Sequence, residues 1–176
     1  MGDLGDILPS IGEKMRGNIG NCNSFHLKDI VAHNTFNIYS LMLRVFKTYE
    51  FRTHDTINTL SFSSRPGDLE SKDDFVMVGD FMMVTETSLS NWNKENYKYL
   101  HTDSIPCWIR VNVASRLAKT PEEWGKYFEI FRSGTHNNQW IVTDFKNTLI
   151  VEEAFFLYHV IPSDDFYVAG YNLPIS

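Results

Sequence analysis

The 176-residue sequence predicts an α+β fold in which antiparallel sheet is covered by helices. Segments with β-branched and aromatic residues, separated by short turns, predict strands in the first and last parts of the chain. The clearest helix start signal lies between them, near residue 120. The predicted order is strands, one helix, strands, two helices and strands. Such segregation of strands and helices is typical of α+β domains.

The N-terminal half is predicted to contain a hairpin, a helix and a run of strands. "NSFHLKDIVAH" has a polar break between two short apolar runs, which predicts a tight β-hairpin that begins at Cys22. "TINTLSFSS" and "DFVMVGDFMMVTETSL" predict strands, with turns at "RPGD" and near Gly79 and Asp80. In "NIYSLMLRVFKTYEF", apolar residues recur at helical spacing and predict an amphipathic helix of about four turns. These residues are Ile38, Leu41, Met42, Val45, Phe46 and Tyr49.

The C-terminal half is predicted to hold two helices followed by strands. "PCWIRVNVASRL" reads as the first helix, and "TPEEWGKYFEIF" begins the second with Thr120 as N-cap, Pro121 at N1 and Glu123 closing a capping box. "QWIVTDF", "TLIVEEAFFLYHVI" and "DFYVAGYNL" predict strands. For "EEAFFLYHV" a helix remains an alternative by propensity.

Length and charge restrict the class of protein. The length is that of one domain, and 22 acidic against 16 basic residues give a net charge of -6 with no basic block, so no nucleic-acid partner is expected. "MGDLGDILPSIGEKM" carries acids where a signal peptide has positive charge. We therefore expect no signal peptide and no transmembrane segment, and the sequence has no N-x-[ST] glycosylation acceptor.

Cys22 is the first candidate for chemistry. It and Cys107 are the two cysteines, too few for a disulfide scaffold and without zinc-site spacing, so we expect no metal and no cofactor. Three interpretations stay open: a buried structural thiol, a bridge to Cys107, or a nucleophile. The last requires cleavage between Asn21 and Cys22, after which the new α-amino group, with a pKa near ~8, can serve as the base.

Three polar stretches are further candidates. The side-chain amides of Asn137 and Asn138 in "SGTHNNQW" can donate to a developing oxyanion, although a capping turn explains the same residues. His33 in "VAHNTF" closes the predicted hairpin near Cys22, where it can hold a substrate, tune the thiol or serve only structure. In "TETS", alternation places Thr87 on one face of a strand with Thr85, while Glu86 points away.

These stretches in order resemble the phospholipase B-like family of N-terminal-nucleophile (Ntn) hydrolases. The resemblance rests on the following segments, which span nearly the whole chain: "GDLGDILP", Cys22 with "NSF", "VAHNTF", "YSLMLRVFKTYEF", "SSRPG", "DDFVMVGDFMMVTETSL", "WIRVNVASRLA", "RSGTHNNQW", "VTDFK" and "AGYNLP". No single segment is specific for the family, but the ordered set of segments is.

The resemblance implies a fold and an activity. The fold would be an αββα sandwich of two antiparallel sheets between helix layers. The chain would cleave itself before Cys22 and hydrolyse an amide or ester bond of a lipid or related acyl compound, with Cys22 as nucleophile. The remaining site residues would be His33, Phe36 and Thr87 lining the substrate site, with Asn137 or Asn138 in the oxyanion hole.

Departures from the family pattern accompany the resemblance. Phe36 stands where the family typically has Trp, His136 where it usually has Tyr, and an arginine-bearing insertion after "VTDFK" is absent. Residues 1–21 would be a propeptide-like segment or a remnant of a longer fragment, and residues 22–176 the core domain. A missing companion fragment or a homo-oligomer is a further expectation, as is a lysosomal or secreted location. The rival interpretation is a catalytically silent, uncleaved domain with a binding or assembly role.

Overall fold

The computed structural model describes residues 21–57, 59–89, 93–100, 102–155, 157–163 and 167–175. Within these ranges the chain forms ten strands, two α-helices and two short 3-10 helices. The strands are β1 (Asn21–Leu27), β2 (Ile30–Phe36), β3 (Val45–Glu50), β4 (Thr59–Ser64), β5 (Phe75–Val78), β6 (Met82–Ser88), β7 (Asn138–Thr143), β8 (Thr148–Ala154), β9 (Leu157–Ser163) and β10 (Tyr167–Gly170). The helices are α1 (Cys107–Leu117) and α2 (Pro121–Glu129), and the 3-10 helices are Tyr39–Leu41 and Lys94–Tyr99.

The strands form two antiparallel sheets. The large sheet has seven strands in sequence order, β3 to β9, and the small sheet has three in the order β10-β1-β2. The predicted hairpin is β1 and β2, with Cys22 opposite Thr35 and Ser24 opposite His33. The α+β class with antiparallel sheet is confirmed.

The large sheet is covered on both faces. Its alternate residues pack against α1 and α2 in the main apolar core, which includes Phe62, Val84, Trp124, Phe128, Trp140 and Val151. The opposite face meets the small sheet, where Ile141, Ile150 and Val168 form a much smaller apolar cluster. The described residues thus give helix, sheet and sheet layers, while the predicted second helix layer has no counterpart among them and stays a prediction.

Helix α2 begins as its sequence predicts. The Thr120 hydroxyl accepts a hydrogen bond from the Glu123 backbone N–H at 3.2 Å, and Pro121 follows the cap. The Glu123 carboxylate accepts from the Lys119 N–H at 2.8 Å, one residue before the cap. Together these contacts satisfy two donors at the helix start and fix its first residue.

The predicted helix over residues 38–49 is wrong. Tyr39–Leu41 form one 3-10 turn, and Val45–Glu50 form β3, which pairs with β4 along its full length. Val, Phe, Thr and Tyr in "VFKTYE" favour a strand. The pairing with β4 supplies the backbone hydrogen bonds that an isolated helix would otherwise have provided. The helical alternative for "EEAFFLYHV" is also excluded, because β8 and β9 occupy most of that segment.

The two cysteines lie apart and are not bridged. Cys107 belongs to the core under the helices, where its sulfur accepts from the Asn138 side chain at 3.3 Å. Cys22 lies in β1 of the small sheet. The interpretation of a disulfide between them is therefore wrong. Among the described residues, no helix has the length and apolar character needed to cross a membrane.

Candidate active site

Cys22 lies where the small sheet crosses the middle of the large one. It is the second residue of β1, directly after Asn21, and only 3% of its surface is exposed. Strand β1 packs against β6, and the Cys22 thiol donates to the backbone oxygen of Glu86 at 3.5 Å. The bond predicted to be cleaved, Asn21-Cys22, is therefore at the start of a strand docked on the large sheet.

His33 meets the same backbone oxygen. Its Nε2 lies 2.9 Å from the Glu86 carbonyl, which can only accept, so Nε2 carries the proton. Burial lowers the pKa of His33 below its ordinary value and favours the neutral ring. Its Nδ1 is then an unprotonated acceptor, buried and without a hydrogen-bond partner among the described residues. Cys22 and His33 are thus joined through one atom of β6.

Thr87 lies on the face of β6 that meets the small sheet. Its hydroxyl is buried and has no hydrogen-bond partner within the described part of the chain, as is true of Ser24 across the interface. The approach is tight at Gly170 of β10, where a Cβ would lie 2.8 Å from the Thr87 hydroxyl. The interface between the sheets therefore contains polar groups with unused hydrogen-bonding capacity.

The two predicted oxyanion residues have different surroundings. The Asn137 oxygen accepts from the Phe155 N–H at 3.1 Å, and its Nδ2 is buried with no partner in the described ranges. Asn138 is fully engaged, since its Nδ2 donates to Cys107 and its oxygen accepts from the Trp140 indole at 2.6 Å. Asn137 thus retains a free donor, whereas Asn138 holds the core under α1.

Three residues near Cys22 were missed from the sequence. Oxygens of Glu86 and Asp74 lie with the Cys22 sulfur in a group whose atoms are all within 4.8 Å of one another. The Asn172 Nδ2 donates to the Ser88 backbone oxygen at 2.9 Å and lies 4.0 Å from the Cys22 sulfur. The only sequence signal for Glu86 is a carboxylate between two strand threonines, and alternation is expected to point it away from their face.

Burial and the two carboxyl groups control the charge at Cys22. Desolvation, followed by the charges of Glu86 and Asp74, raises the pKa of the thiol. Desolvation also raises the pKa of Asp74 to about 7 and that of Glu86 well above its ordinary value. The thiol is consequently protonated at neutral pH in the intact chain.

The comparisons with known proteins identify the family. The Phospholipase B family model matches residues 25–171. Phospholipase B-like 1 of Rattus norvegicus is 32% identical over 206 aligned positions, which cover 99% of this chain. The chain belongs to the phospholipase B family.

Other members of the phospholipase B family agree with this assignment. Putative phospholipase B-like 1 of Caenorhabditis elegans is 33% identical over 82% of this chain, and putative phospholipase B-like 2 of Homo sapiens is 41% identical over 66%. The chain spans 38%, 27% and 22% of the length of the rat, nematode and human proteins, respectively. It therefore corresponds to a part of these phospholipase B-like proteins.

Two positions at which the sequence is expected to depart from the phospholipase B-like pattern lie at the edges of this site. Phe36 is half exposed at the end of β2 and pairs with Asn21 across the hairpin. His136 places its Nε2 3.2 Å from the Ser88 hydroxyl and 3.7 Å from a Glu86 carboxylate oxygen. Phe36 is thus beside the predicted cleavage site, and His136 is beside the carboxyl pair.

Proposed function

We propose that the chain is the core of a hydrolase that acts on an amide or ester bond of a lipid or related acyl compound. Its nucleophile is Cys22, exposed by self-cleavage after Asn21. One observation carries the proposal: Cys22 lies at the start of β1, buried between the sheets, and shares the Glu86 carbonyl oxygen with His33. The lipid substrate follows only from the name of the family.

Self-cleavage supplies the base that the intact chain lacks. The thiol attacks the carbonyl carbon of Asn21, the C–N bond breaks, and the acyl group passes to sulfur while the nitrogen takes up the proton. Water then hydrolyses the thioester. The products are a carboxylate at Asn21 and a free amino group on Cys22, whose ordinary pKa of about 8 suits proton transfer.

Turnover uses the same sulfur. The amino group accepts the thiol proton as sulfur attacks the substrate carbonyl, and the Asn137 Nδ2 donates to the oxyanion. The proton passes to the departing amine or alcohol, which leaves an acyl-enzyme that water hydrolyses. The buried, unpartnered donor on Asn137 supports this role, and the engaged side chain of Asn138 argues for a structural one.

The proposal includes the organisation of the chain and its context. Residues 1–21 are a propeptide-like segment or a remnant of an N-terminal fragment, and residues 22–176 form the Ntn-type core. A companion fragment or a second copy of the chain contributes to the complete enzyme. By family resemblance, the protein acts in the lysosome or after secretion.

Intact mass measurement and N-terminal sequencing test the nucleophile. Purified wild type, Cys22→Ala and Cys107→Ser are held at mildly acidic and at neutral pH. We expect a fragment that begins with Cys22 in the wild type and in Cys107→Ser, but not in Cys22→Ala. A wild-type chain that stays whole under both conditions contradicts self-cleavage.

An uncleaved, catalytically silent domain is the second candidate function. It is favoured by the raised pKa of the buried Cys22 thiol, since such a thiol is a poor nucleophile without a nearby base. In that case Cys22 only packs between the sheets, and the domain serves binding or assembly. The silent domain predicts an intact chain in the same mass spectra.

A further inference from the structure

Three potential metal ligands converge beside β6. The Cys22 sulfur, an Asp74 oxygen and a Glu86 oxygen all lie within 4.8 Å of one another. They come from β1, from the residue before β5 and from β6, so three separate segments bring them together. Because these segments are distant in sequence, only the folded sheets create the group.

Backbone contacts hold this group in place. The Glu86 N–H donates to the Asp74 backbone oxygen at 2.9 Å, and the Cys22 thiol donates to the Glu86 backbone oxygen at 3.5 Å. The main chains of Asp74 and Glu86 are therefore tied to each other, and Cys22 is tied to the Glu86 main chain through its thiol. The side-chain carboxylates are not consumed in these contacts, which leaves their oxygens available to a ligand.

Glu86 supplies a second, independent sign of a missing partner. Its side chain is fully buried, and neither carboxylate oxygen accepts a hydrogen bond of ordinary geometry within the described part of the chain, although the nearby Ser88 hydroxyl acts to lower the pKa of Glu86. The His136 Nε2 lies 3.7 Å from one of these oxygens. An unpaired buried carboxylate is strongly unfavourable, so such a group either holds a proton or binds a cation.

The ligand types select the cation. One sulfur and two carboxylate oxygens suit a borderline-soft divalent ion such as Zn²⁺, whereas Mg²⁺ and Ca²⁺ prefer six or more oxygen ligands. Ligand atoms around a tetrahedral zinc lie about 3.5 Å apart, given Zn–S and Zn–O distances of about 2.3 and 2.1 Å. Two of these atoms that are 4.8 Å apart would have to approach by roughly 1.3 Å to share one zinc ion.

We propose that Cys22, Asp74 and Glu86 form a binding site for a thiophilic divalent cation of the Zn²⁺ class. This departs from the sequence-based expectation of no metal. The bound ion takes the Cys22 thiolate as a ligand and offsets the charges of the two carboxylates. Since the same sulfur is the proposed nucleophile, the ion holds the chain in an inactive state. Binding itself does not depend on the proposed hydrolase activity.

Cobalt titration of the chelator-treated full chain tests the site. Co²⁺ bound to a thiolate gives a sulfur-to-cobalt absorption band in the near ultraviolet, a signal that requires no turnover. We expect this band in the wild type, its loss in Cys22→Ala and its removal by Zn²⁺. Glu86→Gln and Asp74→Asn are expected to weaken binding at least tenfold, and each serves if the other fails to fold by circular dichroism.

Two matched controls make the result decisive. Cys107→Ser removes the other buried thiol, and Asp80→Asn removes a carboxylate from the exposed turn before β6. Both should bind cobalt as the wild type does. The proposal is overturned by a wild type that gives no band, by a band that survives in Cys22→Ala, or by carboxyl variants that bind unchanged. Cleavage without cobalt binding, or binding without cleavage, separates this site from the proposed function.

Discussion

The Nε2 of His33 lies 2.9 Å from the backbone oxygen of Glu86, so the small sheet is hydrogen-bonded to the central strand of the large one. The bond fixes which ring nitrogen carries the proton and leaves Nδ1 facing the buried space between the sheets. His33 therefore couples the docking of the sheets to the chemistry proposed for Cys22.

Removal of this donor is expected to destabilise the fold and to slow cleavage before Cys22. In His33→Phe the Glu86 carbonyl loses a buried partner, which costs about 1–3 kcal/mol of unfolding free energy. His33→Gln keeps a side-chain donor and should recover part of the loss. Urea unfolding and intact mass measure the two effects.

The exposed His54 provides the control for that substitution. His54→Phe should leave both the unfolding free energy and the cleavage rate unchanged. A His33→Phe protein as stable and as rapidly cleaved as the wild type would show that the bond to Glu86 has no such role.

Stability should fall as the pH rises through about 7 in the presence of a chelator. Folding raises the pKa of Asp74 from 3.8 to about 7 and also raises that of Glu86 from 4.5, so the folded state binds more protons than the unfolded state in this range. Stability therefore decreases with increasing pH until both groups have ionised. Glu86→Gln, which mimics the protonated acid, should reduce this loss.

Thermal unfolding at a series of pH values from mildly acidic to mildly alkaline measures the effect, because the loss begins above the unfolded pKa of 3.8 and continues through the folded pKa of about 7. Asp80→Asn is the control of equal charge change. Lys72 is a basic group near the pair and acts against the trend, whereas Glu70 and Asp73 add negative charge. The Cys22 thiol faces the pair and stays protonated, and the His136 ring lies 3.7 Å from a Glu86 carboxylate oxygen. Equal pH slopes for wild type and Glu86→Gln would show that Glu86 does not carry a buried proton.

Loss of Arg110 or Glu153 alone should destabilise the fold strongly, whereas replacement of both by apolar residues should cost much less. Arg110 Nη2 donates to both Glu153 carboxylate oxygens at 2.8 Å, and both side chains are almost completely buried. Loss of one partner strands the other charge, at a cost of about 3–5 kcal/mol. Arg110→Met with Glu153→Leu should cost much less than the sum of the single substitutions, measured by chemical denaturation. Additive losses would exclude a direct coupling.

Gly170→Ala should push the sheets apart. The new Cβ would lie 2.8 Å from the Thr87 hydroxyl and 2.9 Å from the Gln139 side-chain oxygen. Overpacking of this kind typically costs about 1–3 kcal/mol of unfolding free energy. In a Thr87→Ala background the same substitution should cost less, because the nearest atom is gone. Equal costs in the two backgrounds would place the strain elsewhere.

The elements that were predicted correctly from the sequence have local sequence signals. The break in "FHLKDIV" locates the β1–β2 hairpin, and Thr120 with Glu123 locates the start of α2, because both signals lie within a few residues. The helix predicted over residues 38–49 was wrong because the helical spacing of apolar residues is a local property. The pairing of β3 with β4 is a contact between separate segments that overrides it.

The site divides in the same way. The closeness of Cys22 and His33 follows from the hairpin, but their meeting at Glu86 depends on the packing of β1 across β6, 64 residues away for Cys22. Asp74 and Asn172 reach Cys22 from still other segments. No sequence spacing encodes the order in which sheets stack. Glu86, Asp74 and Asn172 could therefore not be identified as neighbours of Cys22 from the sequence alone.

The interface between the sheets has few apolar contacts and many polar groups. The main apolar core lies instead between the large sheet and its helices. The small sheet is therefore the part of the molecule expected to detach first, as a subglobal opening with a lower free energy than complete unfolding. Every ligand and nucleophile contact of Cys22 described above would vanish in that opening, while the helices and seven strands remain. Amide hydrogen exchange in β1 and β2 would then report directly on the fraction of molecules that possess a site at all.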